Sequence, residues 1–280
     1  MGTTIGPDAR PGRVLTFANQ KGGSGKSLAA YFFADILAER GERVLVVDCD
    51  GQEGNLSGDL GADKSPEAPS LAGLLQAMIS RTSPDPVAYV QRLEFCDLLA
   101  GTDALASVDR QLSANSAFGR ETFLRRALDP LAGSYDRVIV DTPGDFDTLS
   151  LNALVATEDV IVPCHADGSG IRGAATIVEM CEGVRAAYNP ALRVSGLFLN
   201  DYSRQSTVHR DMADAIASFC ASKGVRMFDT RVCHSTNAGK LTTYGMRSEG
   251  LVTGTVRRGL VRDMNWLVDE WLGGAGKAGA

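Results

Sequence analysis

The sequence predicts an α/β protein with a mostly parallel central sheet and helices on both faces. Three observations carry that expectation. Seven apolar runs, near 13–19, 43–48, 93–99, 136–141, 158–163, 194–200 and 225–230, alternate with segments of helical periodicity. Such continuous runs suit strands buried on both faces. A glycine-rich stretch, Lys21-Gly22-Gly23-Ser24-Gly25-Lys26-Ser27, separates the first run from the first helical pattern. Two later runs end in aspartates, where open α/β sheets gather their ligand chemistry. The chain has 280 residues, 44% hydrophobic and 22% charged. That exceeds the usual domain size but fits one α/β domain with a large core. The expected organisation is a single domain at 13–273 between loose tails at 1–12 and 274–280.

In chain order, Gly2, Gly6, Pro7, Pro11 and Gly12 deny the first dozen residues any periodicity. With so few residues before the first strand, no N-terminal DNA-reading helix-turn-helix is expected. Val14, Leu15, Phe17 and Ala18 then form the first strand. In the glycine loop behind it, small residues let backbone N–H groups converge on phosphoryl oxygens, and the following helix N-terminus adds partial positive charge. A nucleotide is the expected ligand, with Lys26 on the outer phosphates and the Ser27 hydroxyl on a Mg²⁺ ion. Coincidence explains the loop poorly. At about 7% glycine, and about a tenth for each other fixed position, it would arise ~1 time in 10,000 in such a chain. Leu28, Ala29, Phe32, Phe33, Ile36 and Leu37 recur at helical spacing until Gly41 stops the helix. Arg43 to Asp48 reads as a buried parallel strand that runs out into Asp48-Cys49-Asp50-Gly51-Gln52-Glu53-Gly54-Asn55.

Residues 62–92 place Pro66, Pro69, Pro84 and Pro86 around a helical pattern at Leu71, Leu74, Leu75 and Met78, and read as a variable surface excursion. A short strand at 93–99 and helices near 103–114 and 120–131 follow. Tyr135 to Gly144 has the apolar-strand-then-aspartate form of a Walker B segment; Asp141 would hold Mg²⁺ through a water and the next turn would sense the γ-phosphate. Helix through 151–156, strand at 159–163, helix at 170–187, strand at 194–200, helix at 204–222 and strand at 225–230 come next. Leu260, Val261, Met264, Leu267, Val268 and Trp271 mark the buried face of a last helix, in which Trp266 and Trp271 read as packing residues.

A net charge of −6 and a pI near 5.2 mean that any DNA contact must use a local basic patch against an unfavourable field. Six scattered cysteines show no C-x-x-C pair and no zinc spacing with histidine, so they read as reduced, buried residues. His165, His209 and His234 form no ligand cluster and are assigned no functional role. With no apolar run of membrane-spanning length and no charged-then-apolar leader, the expected location is the cytoplasm.

The general phosphate loop, G-x-x-x-x-G-K-[ST], is broken here, because its first glycine falls at Gln20 and a second lysine, Lys21, stands in front. Lys21 to Ser27 instead resembles the deviant Walker A motif, K-G-G-x-G-K-[ST], of the ParA/MinD group of P-loop ATPases. The resemblance spans about residues 13–273 and is thin at 62–92. It implies a P-loop NTPase fold and an ATP site built by Lys21, Gly22, Gly23, Ser24, Gly25, Lys26, Ser27 and Leu28. It also implies an ATP-dependent homodimer in which Lys21 reaches the nucleotide of the other subunit. A solvated cation that raises local potential is the alternative for Lys21.

The family's D-x-D-P-Q-G-N switch falls at 48–55. By that likeness Asp50 is the hydrolytic residue that helps place the attacking water, and Asp48 supports the metal shell alongside Ser27 and Asp141. Gly51 in place of proline and the inserted Glu53 are expected to loosen the loop; a solvated acidic turn is the alternative. Gly144 departs mildly from the family's D-x-P-P. Asn200 resembles the adenine-edge reader, with a plain turn residue as its alternative. Arg231-Val232-Cys233-His234-Ser235 stands where the family has I-P-R-N and matches poorly, so no base contact is assigned to it.

Arg257, Arg258 and Arg262 can cluster toward solvent, in the part where DNA-binding members of the family carry basic residues; ordinary surface ion pairs are the alternative. The function the resemblance implies is partition of plasmid or chromosomal DNA, on the nucleoid, with hydrolysis stimulated by a ParB-like partner. Placement of a protein cargo such as a carboxysome or chemoreceptor cluster is a second reading. A nucleotide-binding regulator with little turnover, suggested by the altered switch, is another. Membrane placement in the manner of MinD is disfavoured, because the terminal Gly-Gly-Ala-Gly-Lys-Ala-Gly-Ala cannot form a basic amphipathic helix.

Overall fold

The computed structural model describes residues 13–52, 54–114, 119–145, 147–233 and 255–273, with the backbone alone at 255–258. Alternating apolar side chains build the strands. In β2 (Val44–Asp48), Val44 and Val46 enter one core while Leu45 and Val47 enter the other. The remaining strands are β1 (Val14–Phe17), β3 (Gln91–Arg92), β4 (Asp97–Leu99), β5 (Arg137–Asp141), β6 (Asp159–His165), β7 (Arg193–Tyr202) and β8 (Met227–Cys233). Among the described residues they form one sheet in the order β3-β4-β2-β5-β1-β6-β7-β8. All neighbours run parallel except β3 and β4. β1 lies between β5 and β6, so the loop that leaves it emerges at the middle of the carboxyl edge.

One face is covered by α1 (Lys26–Glu39) and α9 (Thr255–Trp271). Ala29 to Leu37 are buried almost continuously, because α1 is wedged between the sheet and α9. The other face carries α3 (Leu71–Ile79), α4 (Leu105–Ala114), α5 (Phe123–Leu128) and α6 (Thr148–Ala156) over its β2–β5 half. Over β6 and β7 it carries α7 (Gly168–Ala187) and α8 (Thr207–Lys223). A short α2 (Leu56–Asp59) follows β2. Among the described residues no helix is long and apolar enough to cross a membrane.

The sheet edge at β8 is closed by two acids of α9. Buried Glu270 accepts the N–H groups of Asp229 (2.8 Å) and Thr230 (3.0 Å) and pairs with Arg226, while Asp263 accepts the N–H of Cys233 at 3.1 Å. Edge amides that could template another strand are thereby satisfied within the chain. Leu260, Met264, Leu267, Val268 and Trp271 are buried as expected. Trp266 is only half-buried and lies under the Arg262 guanidinium, 4.6 Å from its ring centre, rather than in the core.

Three expectations need correction. The stretch at 62–92 is not merely a surface excursion: Ser70 caps α3, Leu71 N–H donates to the Ala100 carbonyl at 2.9 Å, and Leu71, Leu74 and Leu75 are fully buried. The prolines punctuate its flanks and leave the helix between them free to dock. The strand at 93–99 is a hairpin instead, with Gln91–Arg92 antiparallel to Asp97–Leu99 across a turn closed by Leu93 N–H on the Cys96 carbonyl. The helix at 120–131 is α5 between two 3₁₀ turns, Arg120–Thr122 and Asp129–Leu131, the second built on Pro130. The parts of the chain expected to be tails, 1–12 and 274–280, lie outside the described residues, as do Glu53, His234 and Ser235.

Candidate functional site

The loop between β1 and α1 wraps a cleft of about 390 Å³ lined by Gly22 through Leu28, together with Asp50, Asn200, His165 and Asp201. Gly25 caps α1 at φ +97°, and a Cβ there would fall 2.1 Å from the Asn200 amide nitrogen. Only glycine fits that combination of backbone and space. Lys26 is buried, with Nζ donating to the Lys21 carbonyl at 3.2 Å. Burial pulls its pKa below the usual lysine value, partly offset by Asp141, Asp50 and Asp145.

Lys21 does not face the cleft. Its ammonium donates to Asp167 Oδ2 at 2.9 Å, at the N-cap of α7. Asp167 also accepts from the Ser169 hydroxyl and the Gly170 N–H. Burial works against the Asp167 anion, but these hydrogen bonds and Lys21 together hold its carboxyl below the usual range. In the single chain the lysine is therefore neither an unattached cation nor a ligand for its own cleft.

The switch aspartates separate by role. Asp48 is fully buried and spends both oxygens on the loop, on Asp50 N–H at 2.9 Å, Ser57 N–H at 2.7 Å and the Ser57 hydroxyl at 2.6 Å. Burial nevertheless raises its pKa to about 6. In the nucleotide-free chain it therefore organises the loop, and it stands beside Asp141 in the β2–β5 register. Asp50, two residues on, lines the cleft and also accepts the Gln52 N–H at 2.9 Å. At Gly51, expected to loosen this loop, the backbone is closely packed. A Cβ on Gly51 would fall 2.7 Å from the Thr102 carbonyl, and one on Gly101 would fall 2.4 Å from that of Asp50. Two glycines let the switch and the turn after β4 press backbone to backbone.

Asp141 lies opposite Asp48 in the β2–β5 register and is fully buried. Neither of its carboxylate oxygens has a hydrogen-bond partner. Burial raises its pKa well above the ordinary value and Asp48 adds to the rise, while Ser27 and Lys26 favour the anion. An unpaired buried carboxylate beside a hydroxyl and a lysine is costly unless a cation joins it. Among the described residues no three His, Cys, Asp or Glu side chains gather to hold a metal. A divalent ion would thus take its ligands from Ser27, phosphate oxygens and water with Asp141 behind, a hard oxygen set that fits Mg²⁺.

Asn200 reaches the site, but its amide nitrogen donates to the Ser24 carbonyl at 2.9 Å. Its carbonyl oxygen and its second amide N–H remain to meet a base. His165, given no role from the sequence, sits beside it with Nε2 2.9 Å from the Gly23 carbonyl. No local pattern marks a lone histidine at a strand end; only the position just past an apolar run could have drawn attention to it. Of the basic cluster, Arg262 is spent on Asp263 (3.0 Å) and on Trp266, which fits the ordinary-ion-pair alternative. The side chains of Arg257 and Arg258 lie outside the described residues.

A glycine loop between a central parallel strand and its helix, with a buried lysine and an acidic neighbouring strand end, defines a P-loop nucleoside-triphosphatase. Comparison with known proteins narrows the class. Residues 12–194 match a family model described as an AAA domain. The chain is 30% identical over 240 residues to the chromosome partitioning protein ParA of Caulobacter vibrioides, covering 85% of this chain and 86% of that protein. It is 32% identical over 234 residues to the chromosome-partitioning ATPase Soj of Thermus thermophilus, covering 83% and 86%. A solved structure of cobyrinic acid a,c-diamide synthase from Mycobacterium smegmatis, with bound ATP analog and magnesium, superposes with a TM-score of 0.75 at 28% identity, covering 94% of this chain and 97% of that one. The chain belongs to the ParA/Soj family of P-loop ATPases.

Proposed function

We propose that this chain is a MgATP-driven partition ATPase: it closes into a homodimer on ATP, binds DNA without sequence preference, and distributes a plasmid or chromosome. A ParB-like partner stimulates hydrolysis. The observation that carries the reading is the intact loop, Lys21 to Ser27, with its first lysine parked outside its own cleft on Asp167. A lysine held on the loop's flank by an exchangeable ion pair is placed to serve a neighbouring site.

In this reading the loop N–H groups and Lys26 bind the phosphates, while Ser27, with Asp141 behind it, would hold a Mg²⁺ ion that would supply charge neutralisation at the phosphoryl oxygens. Asp50 orients the water for attack on the γ-phosphate. Asp48 and Ser57 fix the turn on which Asp50 rides, and Asn200 offers its carbonyl oxygen and second amide N–H to the base. DNA contact is assigned to the C-terminal arginines Arg257 and Arg258, with Arg262 contributing only if it leaves Asp263.

The test is light scattering after size exclusion, with Mg²⁺ and a non-hydrolysable ATP analogue. The mass should double, and duplex DNA should be retained only in that state. Lys21→Ala should still bind the analogue yet stay monomeric. A wild-type chain that remains monomeric at saturating analogue overturns the proposal, since ATP can shift the equilibrium only by its differential affinity for the two states.

A further inference from the structure

The last residues of two neighbouring strands meet the phosphate loop together. His165 of β6 and Asn200 of β7 are register partners, so their side chains rise side by side at the carboxyl edge. They contact consecutive peptide groups: His165 Nε2 stands 2.9 Å from the Gly23 carbonyl oxygen, and Asn200 Nδ2 donates to the Ser24 carbonyl oxygen at 2.9 Å. We infer that His165 is a positioning residue for nucleotide binding and forms, with Asn200, a clamp that sets the orientation of the phosphate loop. This inference rests on the nucleotide-binding reading of the cleft.

In a trans peptide the C=O and the following N–H point in opposite directions. Pinning the Gly23 and Ser24 carbonyls on the clamp therefore turns the N–H groups of Ser24 and Gly25 the other way. In a phosphate loop the N–H groups must converge on phosphoryl oxygens. Glycine on either side of Ser24 gives this stretch unusual backbone freedom, with Gly23 at φ +73° and Gly25 at φ +97°. Beyond the Lys26 bond to the Lys21 carbonyl, loop order before ligand arrives draws on contacts from outside the loop, and these are two of them. Pre-ordering of this kind raises affinity by lowering the ordering cost on binding.

A carbonyl oxygen only accepts, so the imidazole must present Nε2–H to Gly23. That requirement makes the clamp testable without nucleotide. In the neutral protein, ¹⁵N-resolved NMR of the ring should show the Nε2–H tautomer for His165, and the Nδ1–H tautomer would overturn the clamp. The functional arm measures affinity for Mg²⁺ with a non-hydrolysable ATP analogue by calorimetry. His165→Leu should weaken binding by about 5- to 30-fold, the worth of one lost and unsatisfied polar contact. His165→Gln, which keeps an amide donor at similar reach, should return to within about 3-fold of wild type. In steady-state turnover the Leu variant should raise KM and leave kcat within about twofold, since loop orientation is a binding contribution. Equal affinity of the Leu variant and wild type would refute the clamp while leaving the cleft's function intact. Failure of wild type itself to bind, or unchanged binding by Lys26→Ala, would instead sink the nucleotide reading.

Discussion

Asp141→Asn separates the two energies that meet at the foot of the phosphate loop. In the free chain Asp141 is fully buried, neither oxygen has a well-formed hydrogen bond although the nearby Ser27 hydroxyl favours the anion, and Asp48 faces it across the β2–β5 register. Keeping such a carboxyl inside at pH 7 costs at most the work of protonating a group of ordinary pKa 3.8, roughly 4 kcal/mol at 1.36 kcal/mol per unit. Asparagine retains the shape without the charge but leaves an amide equally short of partners. The net gain should be about 1–3 kcal/mol, or about 2–10 °C in the Tm of the nucleotide-free protein. The pH dependence has a definite sign. A folded-state pKa raised above the unfolded value means that the folded chain holds the extra proton, so wild type loses stability as pH rises from about 4 toward neutrality. The variant should lose less over the same window. With Mg²⁺ and an ATP analogue the order should reverse in part. A ligand at a hundredfold excess over its Kd adds about 2.7 kcal/mol, and the variant, lacking the anion behind the ion, should gain much less. Thermal denaturation by circular dichroism at pH 5 and 7.5, with and without MgATP analogue, reads all four states. A lower Tm for the free variant, or an undiminished Mg²⁺-dependent gain, would refute the assignment of Asp141 as a carboxylate waiting for a cation.

Two further substitutions probe the support around the site. Gly25→Ala places a methyl 2.1 Å from Asn200 Nδ2 at φ +97°, so nucleotide affinity measured by calorimetry should fall by about 10- to 100-fold, matching roughly 1–3 kcal/mol of backbone strain; affinity within twofold of wild type would mean that the loop does not need this conformation. Glu270→Ala strips partners from Asp229 N–H, Thr230 N–H and Arg226, and should cost about 3–5 kcal/mol in urea unfolding. A change under about 0.5 kcal/mol would show that the edge of the sheet is not closed by α9.

How much of this the chain declares in its residue order depends on how far apart the interacting groups lie. The phosphate loop was legible because its requirement is local: glycines at fixed places, a lysine, a hydroxyl, then an apolar helix. The parallel sheet was legible because strands buried on both faces must be apolar throughout, as Val44 to Val47 are. The excursion misled because proline density speaks for turns, whereas the docking of Leu71, Leu74 and Leu75 depends on a face of the sheet assembled from distant strands. Asp48 and Asp50 could not be told apart by composition. Two positions apart at a strand end, one turns under the loop onto Ser57 and the other stays at the cleft, a division made by the path of the backbone after Asp48. Asn200 was placed at the site by its strand end, but its bond to Ser24 could not be foreseen, since it spans 176 positions and is set by strand order. His165 carried no local signal, because a donor to a carbonyl needs only reach and an N–H.

The same reasoning bears on Lys21, where the motif and the single chain give complementary halves of one statement. The motif requires a second lysine but cannot say where its ammonium rests when no neighbour is present; the structure puts it on Asp167, a side chain 46% exposed whose remaining oxygen is tied to Ser169 and Gly170. A partly exposed ion pair of this kind contributes little, about 0–1 kcal/mol. Breaking it is therefore a minor energetic term, and while it lasts it holds the lysine in an ordered position outside its own cleft. If the proposed homodimer forms, the first lysine can leave Asp167 for the neighbouring site at almost no cost to closure.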